Sequence, residues 1–579
     1  MGSFHGLIDA LLTDTLGGEH APGSLSLFRP ELMLCATIVV SLFVKVFNSG
    51  QRISGFLLAL VGTLAALYFA TVDAGRLLDG HVARQEIFTG LLVFDSFTIF
   101  FRWLLLVFAV LFFVPTRITR IFDRNDATDI YAVVLGAILG MCLMASANHL
   151  LAVFLAVEMA SVPSYVLAGI LRTRKSSEAS LKYAIYGAGA AGVMLYGISL
   201  LAGVTGSAHL PTIARQLVAM SAAGEFSAVA SSGAVSVLAV AGLMIAVGLA
   251  FKLSAVPFHF WCPDVFEGAT AEVNAFLSVA SKAAALALLV RVTLGVGMSS
   301  ESAIVVQQQT PATVASTSLT SSVAATSTHV ESVAAAESVA PTSGDANRAL
   351  APVRGFIIKL LALLAVLTCT FGNLAAYGQT NIKRLLAYST IAHAGYMMMP
   401  VCATLALVSN AELANEAVSA LTFYITLYLF MNLGAFAVVA FLRNAIGSEE
   451  IEDYAGLVRT QPVTIICFAL MLFSLIGLPP FAGFVGKLAI FKALIAAGGP
   501  VMYTLLVVAG LNTAISLVYY LRVVKVMTID PEPDTRSPVT MGFLPAVYTV
   551  ALAAPIVVFG IGFDQLYRFV RVAAEHLFV

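Results

Sequence analysis

The stretch 149–172, HLLAVFLAVEMASVPSYVLAGILR, decides the class of fold. About twenty of its residues are apolar or small, which is the length that a helix needs to cross the hydrocarbon core of a bilayer. The stretch nevertheless carries a carboxylate, Glu158, near its middle. Because a charge at that depth costs at least about 2.5 kcal/mol, the stretch predicts a membrane helix whose acid has a partner or a function.

The composition of the whole chain agrees with a membrane protein. Hydrophobic residues make up 59% of the 579 residues and charged residues 11%, with a mean hydropathy of +0.94. A soluble domain is roughly half apolar and about a quarter charged. The sequence therefore predicts an all-α polytopic membrane protein with the lipid bilayer as its surroundings. The formal net charge of -1 argues against nucleic acid as a partner.

Apolar runs predict about fourteen transmembrane helices. The predicted spans are 30–47, 53–71, 93–114, 128–147, 149–170, 181–204, 233–255, 270–295, 354–375, 384–407, 417–442, 462–495, 500–523 and 541–566. Sixteen lysines and arginines lie in the loops that follow odd-numbered spans, and clearly fewer lie on the opposite side. Since positive loops face the cytoplasm, both termini are expected on the outer side.

Two spans are interrupted in a similar way. The seventh contains SAVPFHFWCP, residues 254–263, and the twelfth contains GLPPFAG, residues 477–483. A lysine lies beside each break, Lys252 in one case and Lys487 in the other. Broken helices at matching positions indicate inverted repeats with an ion site between them. A plain proline kink is the simpler alternative for either break alone.

The predicted organisation has five parts. Spans 1–3 occupy residues 1–127, the first five-helix repeat (spans 4–8) residues 128–300, and the second (spans 9–13) residues 353–525. A last helix falls within 526–579. Between the repeats, residues 301–352 are rich in Ser, Thr, Ala and Val and contain no aromatic residue, so we expect a disordered outward loop there.

Five ionisable residues are predicted inside the membrane: Glu158, Lys252, Lys282, Lys487 and His393. The lysines have an alternative explanation, because a long side chain can extend to the interface. Glu158 is too short for that, so its alternative is a helix-packing hydrogen bond. For His393, a neutral histidine bonded across helices competes with a proton carrier. Asp95 and Arg291 are expected at the membrane boundary.

The functional interpretation of these charges is a proton path. Burial disfavours the charged form of a carboxylate and of a lysine alike, and a nearby opposite charge restores it. Glu158 and Lys252 are expected to form such a pair, in which a change at one group prompts the other to bind or release a proton. Lys282 and Lys487 would pass the proton onward with the help of water and His393.

Several runs resemble the antiporter-like membrane subunits of respiratory complex I, and within them the subunit N branch. They are FLAVEMASVPSYVLAG (154–169), SSEASLKYAIYGAGAAGVMLYGISLL (176–201), FKLSAVPFHFWCPDVFEGATAEV (251–273), IKRLLAYSTIAHAGYMM (382–398) and GLPPFAGFVGKLAIFKA (477–493). The resemblance covers nearly the whole chain apart from 301–352, a connection that is longer here than is usual in the family.

The resemblance implies a role for each of the five residues. Glu158 and Lys252 would be the ion pair of one half-channel, Lys282 the central relay, Lys487 the proton-handling lysine of the second half-channel and His393 a polar link. The chain would bind no cofactor or metal itself, while NADH, FMN, iron–sulfur clusters and a quinone would act through other subunits. Its partners would be a neighbouring antiporter-like subunit and small membrane subunits in the bacterial cytoplasmic (inner) membrane.

Three other functions stay open on the sequence alone. Two alternatives are a subunit of a multi-subunit cation/proton antiporter and a subunit of a related membrane-bound hydrogenase, which share these features. A dedicated sodium site would be expected to add membrane carboxylates, and Glu158 is nearly alone in the predicted spans. A structural scaffold would leave four costly buried charges without purpose.

Overall fold

The chain folds into a bundle of long helices. The computed structural model describes residues 8, 11–17, 22–47, 54–80, 82–122, 127–226, 233–298, 343–533, 536 and 539–578. The predicted all-α class is confirmed, with one small addition near the start of the third span. There Gln85–Ile87 (β1) and Leu92–Phe94 (β2) pair as an antiparallel hairpin.

The helices follow the predicted spans closely. The first part of the chain forms Arg29–Phe47 (α1), Gly55–Leu78 (α2) and Ser96–Thr119 (α3). The next part forms Ala127–Ser146 (α4), Leu150–Ala168 (α5), Arg174–Thr205 (α6), Leu210–Ala222 (α7), Gly233–Leu253 (α8), Trp261–Gly268 (α9) and Ala271–Gly297 (α10). After the gap come Ser343–Ala349 (α11), Ala351–Ala376 (α12), Ile382–Ala406 (α13), Ala411–Ile446 (α14), Pro462–Ile476 (α15), Ala482–Ala497 (α16), Gly499–Thr528 (α17), Phe543–Ile561 (α18) and Asp564–Ala574 (α19).

Twelve of the described helices are long and apolar enough to cross a membrane. The two predicted spans outside this set are α13 and the broken pair α15–α16. Helix α13 is rich in polar residues, and nearly all of its side chains are buried against other helices rather than against lipid. Helices α15 and α16 have only 15 and 16 residues. The count of about fourteen therefore stays a prediction.

Both predicted breaks are present. Helix α8 ends at Leu253, Ser254 follows with a φ of +56°, and α9 begins only at Trp261. Helix α15 ends at Ile476, and Gly477 follows with a φ of +89°. A left-handed residue ends a helix because it turns the chain away from the axis, and the prolines that follow cannot donate to the preceding turn.

The two units on either side of the gap have a similar order of helices, apart from the additional α7 between α6 and α8 of the first unit. In each, two helices are followed by a longer one, α6 with 32 residues or α14 with 36, and then by a broken pair and a long final helix. This order is what a repeat requires, although the inverted symmetry itself stays a prediction. In an 18-residue apolar stretch of α10, 100% of the residues are buried, and in one of α14, 94% are buried. These two helices therefore form the centre of the bundle.

The segment 301–352 differs in part from the prediction. Residues 301–342 lie outside the described residues. Nine of its last ten residues are helical, because α11 covers Ser343–Ala349 and α12 begins at Ala351. Helix α11 packs on α7, an amphipathic helix that the sequence analysis had not predicted.

Two buried ion pairs tie the first helices to the bundle. Arg291 of α10 donates to the carboxylate of Asp95 at 2.5 Å, and both side chains are almost fully buried. Asp95 directly precedes α3 and Arg291 lies near the end of α10, and the pair is buried within the protein, where each charge neutralises the other. Their position at the membrane boundary stays a prediction. Arg102 of α3 likewise donates to Glu31 at 2.6 Å, with both side chains 1% exposed.

Candidate proton-relay site

Lys252 is the residue before the last in α8, directly before the first break. Its side chain is 3% exposed, and its ammonium donates a 3.0 Å hydrogen bond to Ser161 Oγ of α5. A lysine whose ammonium is held inside the bundle does not extend to the interface. Its position therefore contradicts the alternative of a snorkelling side chain.

Glu158 lies three residues before Ser161 on α5, which places both residues on the same face of that helix. Glu158 is half-buried, and its charge and that of Lys252 act on each other electrostatically. Among the described ion pairs with nitrogen–oxygen distances up to 4.0 Å, none joins these two residues. Lys252 therefore bonds α5 one turn after Glu158, and the direct pair stays a prediction.

Lys282 reaches the same break from α10. Its side chain is 2% exposed, and its ammonium donates a 2.6 Å hydrogen bond to the carbonyl oxygen of Leu253, the last residue of α8. The last carbonyls of a helix have no partner within the helix and carry its negative partial charge. Lys282 therefore provides a hydrogen-bond partner for the last carbonyl of α8, one residue away from Lys252.

Lys487 likewise bonds the last carbonyl of a helix at the second break. Its side chain is 3% exposed, and its ammonium donates a 2.8 Å hydrogen bond to the carbonyl oxygen of Ile476, the last residue of α15. The ammonium also lies 4.6 Å from the ring centre of Tyr396. A Cβ added to Gly477 would lie 3.0 Å from Lys487 Cδ, so glycine leaves room for the lysine stem here.

His393 lies on α13 in a group of hydroxyls. Its Nδ1 is 2.7 Å from Tyr424 Oη, and its Nε2 is 3.4 Å from Tyr520 Oη. Tyr520 also bonds Ser389 one turn earlier on α13. Because Lys487 faces Tyr396, whose ring centre is 5.9 Å from that of His393, the histidine and this lysine belong to one polar region.

The five predicted residues thus form two groups rather than one. Glu158, Lys252 and Lys282 surround the first break, and Lys487 and His393 lie near the second. Among the described residues, no hydrogen bond joins Lys282 to His393. The link between the two groups stays a prediction.

Sequence reasoning missed the hydroxyls of this site. Ser161, Tyr424 and Tyr520 are buried and bond the predicted residues, but single serines and tyrosines in apolar runs do not stand out from packing residues. A helical-wheel comparison would have placed Ser161 beside Glu158, one turn on. The partners of Lys252 across helices cannot be derived from spacing.

Within the described part of the chain, no three His, Cys, Asp or Glu side chains lie together in a way that could hold a metal ion. The buried Asp95 and Glu31 are each bound to an arginine. The expectation that this chain binds no metal or cofactor stays a prediction.

Comparisons with known proteins agree with the resemblance found in the sequence. The family described as NADH:quinone oxidoreductase/Mrp antiporter, TM, matches residues 147–341 and 346–513. NADH-quinone oxidoreductase subunit N of Anaeromyxobacter sp. (strain Fw109-5) is 38% identical over 555 residues, which cover 95% of this chain and 96% of the relative. Subunit N 2 of Sorangium cellulosum (strain So ce56) is 37% identical, with 94% and 96% covered.

Solved structures show the same fold. A chain of respiratory complex I from Thermus thermophilus with bound aureothin has a TM-score of 0.67 and 28% identity, with 93% of this chain and 98% of that chain covered. A chain of the Mrp complex from Dietzia sp. DQ12-45-1b has a TM-score of 0.73 at 17% identity, with 96% and 98% covered, and so shows the fold alone. The predicted resemblance is confirmed, and the chain belongs to the subunit N family of NADH-quinone oxidoreductases.

Proposed function

We propose that this chain is a proton-translocating, non-redox membrane subunit of a respiratory NADH-quinone oxidoreductase. It takes up protons from the cytoplasm and releases them outside, driven by quinone reduction in other subunits. The support comes from the subunit N family and from one observation above all. Lys252, Lys282 and Lys487 each place a buried ammonium on an oxygen at or beside a broken helix.

This arrangement suits proton transfer for a physical reason. A buried lysine is charged only while nearby oxygens or acids offset the cost of its desolvation. Lys282 depends on the end of α8 and Lys487 on the end of α15, so a small movement of either half-helix changes how well the lysine holds its proton. Broken helices provide that movement at lower cost than continuous ones, because their ends are not fixed by the hydrogen bonds of the helix.

Glu158 and Lys252 form the first step of the proposed path. When Glu158 is charged it favours the charged form of Lys252, and Ser161 positions the ammonium. When Glu158 binds a proton, Lys252 loses this support and releases its own proton toward Lys282. Lys487 and His393, with Tyr424 and Tyr520, carry the proton through the second unit.

The proposed setting follows from the family and from the loop charges. The chain lies in the bacterial cytoplasmic membrane with both termini outside, beside a neighbouring antiporter-like subunit and small membrane subunits. NADH, FMN, iron–sulfur clusters and the quinone are bound by other subunits. Arg384 of α13 and Asp264 of α9, which pair at 3.0 Å, lie beside connections that carry the inward charge bias.

The test uses inverted membrane vesicles that carry Lys252→Ala in the intact complex. NADH oxidation and proton uptake are measured together, after the amount of assembled complex has been determined. The proposal predicts that uptake per NADH falls by the share of protons that this chain carries, because the neighbouring subunits continue to act. Assembled complex with normal oxidation and normal uptake would overturn it.

A further inference from the structure

A second set of buried charges lies at the end of the bundle that is predicted to face the cytoplasm. Glu272 belongs to the first turn of α10 and is only 1% exposed. Its Oε1 atom lies 3.4 Å from a guanidinium nitrogen of Arg443 on α14. Its other oxygen, Oε2, is buried and has no hydrogen-bond partner among the described residues. None of the relay residues discussed so far accounts for this carboxylate.

The surroundings of Glu272 come from both units of the chain. Lys383, at the start of α13, forms a 2.7 Å ion pair with Glu449 and donates a 2.7 Å hydrogen bond to the carbonyl oxygen of Ala269. Ala269 directly follows α9 and lies three positions before Glu272. The carboxylate therefore lies where the second half of the broken seventh span meets the second unit.

The free Oε2 atom of Glu272 is an open acceptor in a buried place. The N-terminus of α10 and Arg443 favour the anion. Burial and the free Oε2 atom favour the protonated form, because an unsatisfied buried acceptor loses its bonds to water without replacement. Helix α10 leads from Glu272 to Lys282, which lies ten residues on, or about 15 Å along the axis.

We propose that Glu272 is a proton-binding residue at the inner mouth of a second entry to the path, which supplies protons to Lys282 beside those that come from Lys252. A proton from the cytoplasm binds to Oε2 and converts the carboxylate into the neutral acid. The acid then releases that proton toward Lys282 in its uncharged form, through water and the hydroxyl of Ser278, and the carboxylate is restored. The inference rests on the proposed function, because it needs Lys282 to act as a proton carrier.

Charged groups from several elements lie around Glu272. Arg443 faces it from α14, and Lys383 with Glu449 lies beside it on the side of α13. On the remaining elements packed against this end of α10, Arg117 of α3 lies over the ring of Phe56, and Asp129 of α4 pairs with Lys45.

The experiment measures proton uptake per NADH oxidised in inverted vesicles with the intact complex, from about pH 6.5 to about pH 8.5. Glu272→Gln keeps the shape of the side chain and removes proton binding. Glu267→Gln is the matched control, because Glu267 lies at the same end but is 35% exposed and binds Arg384 at 2.8 Å. If Glu272→Gln leaves Arg443 unpaired and blocks assembly, the double variant E272Q/R443Q is measured in its place.

The expected result is a deficit that grows with pH. At low pH bulk protons reach Lys282 without Glu272, whereas at about pH 8.5 uptake per NADH should fall toward the value of Lys252→Ala. Glu267→Gln should match the wild type throughout. A wild-type ratio at every pH, or an equal fractional loss at every pH, would overturn the proposal. If Lys252→Ala pumps normally, the proposed function itself fails, whereas a defect there with normal Glu272→Gln overturns this inference alone.

Discussion

Lys487 donates a 2.8 Å hydrogen bond to the carbonyl oxygen of Ile476, the residue at which α15 stops. Lys282 makes the matching contact of 2.6 Å with Leu253, the residue at which α8 stops. The two lysines approach their breaks from different elements: α10 carries Lys282, whereas Lys487 belongs to the second half of its own broken span. What the two units share is therefore a buried ammonium at the end of a half-helix.

The contact of Lys487 leads to the first prediction. Lys487→Met keeps most of the side-chain volume but removes the proton and the bond to Ile476. Proton uptake per NADH should fall by the share of protons that this chain carries, as expected for a lost proton carrier. The control is Lys492→Met on the same helix, whose ammonium is at the surface and binds Glu416 at 3.0 Å. Equal effects of the two variants would contradict a special role of Lys487.

Ser161 is predicted to position Lys252. Ser161→Ala removes the 3.0 Å hydrogen bond, so the ammonium is less well placed and uptake per NADH should fall a few-fold while assembly is kept. Ser164→Ala is the matched control on α5, because Ser164 is also buried but donates to the carbonyl oxygen of Ala160. Both are compared in the same vesicle assay, and a Ser161→Ala variant as active as Ser164→Ala would remove Ser161 from the path.

Tyr424 is predicted to act through His393. Tyr424→Phe keeps the ring that packs against the imidazole and removes only the hydroxyl that lies 2.7 Å from Nδ1. Uptake should slow by about tenfold or less, since water can replace one hydroxyl in part. Tyr548→Phe removes a buried hydroxyl of similar geometry, which bonds the carbonyl oxygen of Leu111, and should leave the ratio of uptake to oxidation unchanged. A larger effect from Tyr548→Phe would contradict the assignment.

The pair of Asp95 and Arg291 is predicted to serve stability rather than transport. Asp95→Asn leaves a buried guanidinium without its counter-charge, which costs about 3–5 kcal/mol. The amount of assembled complex, measured on native gels, should therefore fall strongly. The double change to Asp95→Leu and Arg291→Leu should recover much of it, because an apolar pair of similar volume avoids the cost of burying charge. Assembly equally poor in the double variant would argue for a role of the charges themselves.

Much of the fold follows from the sequence because the bilayer leaves few alternatives. Apolar runs of membrane length become helices, and the prolines and glycines at 254–263 and 477–483 interrupt them where they stand. Helix α13 is harder to recognise by its hydropathy. It carries Lys383, His393 and many hydroxyls, and packing against other helices keeps these groups away from lipid. Its hydropathy is therefore lower than its buried position in the bundle suggests.

The candidate site was predictable only in part, because tertiary packing decides which groups contact the predicted residues. A lysine or a glutamate in a membrane span stands out in the sequence because its desolvation costs much free energy. The groups that bond it do not stand out. Leu253 and Ile476 contribute backbone oxygens, which no side-chain pattern indicates. Arg291 lies near the end of its helix in sequence, yet it is buried because Asp95 reaches it from 196 residues away along the chain.

The central claim is that protons pass through Lys282, and its most direct test is the number of protons taken up per NADH oxidised. The measurement compares intact complexes that carry Lys282→Met with those that carry Lys45→Met, an exposed lysine paired with Asp129. The account predicts a ratio well below wild type for Lys282→Met and an unchanged ratio for Lys45→Met. A wild-type ratio for an assembled Lys282→Met complex would contradict the relay.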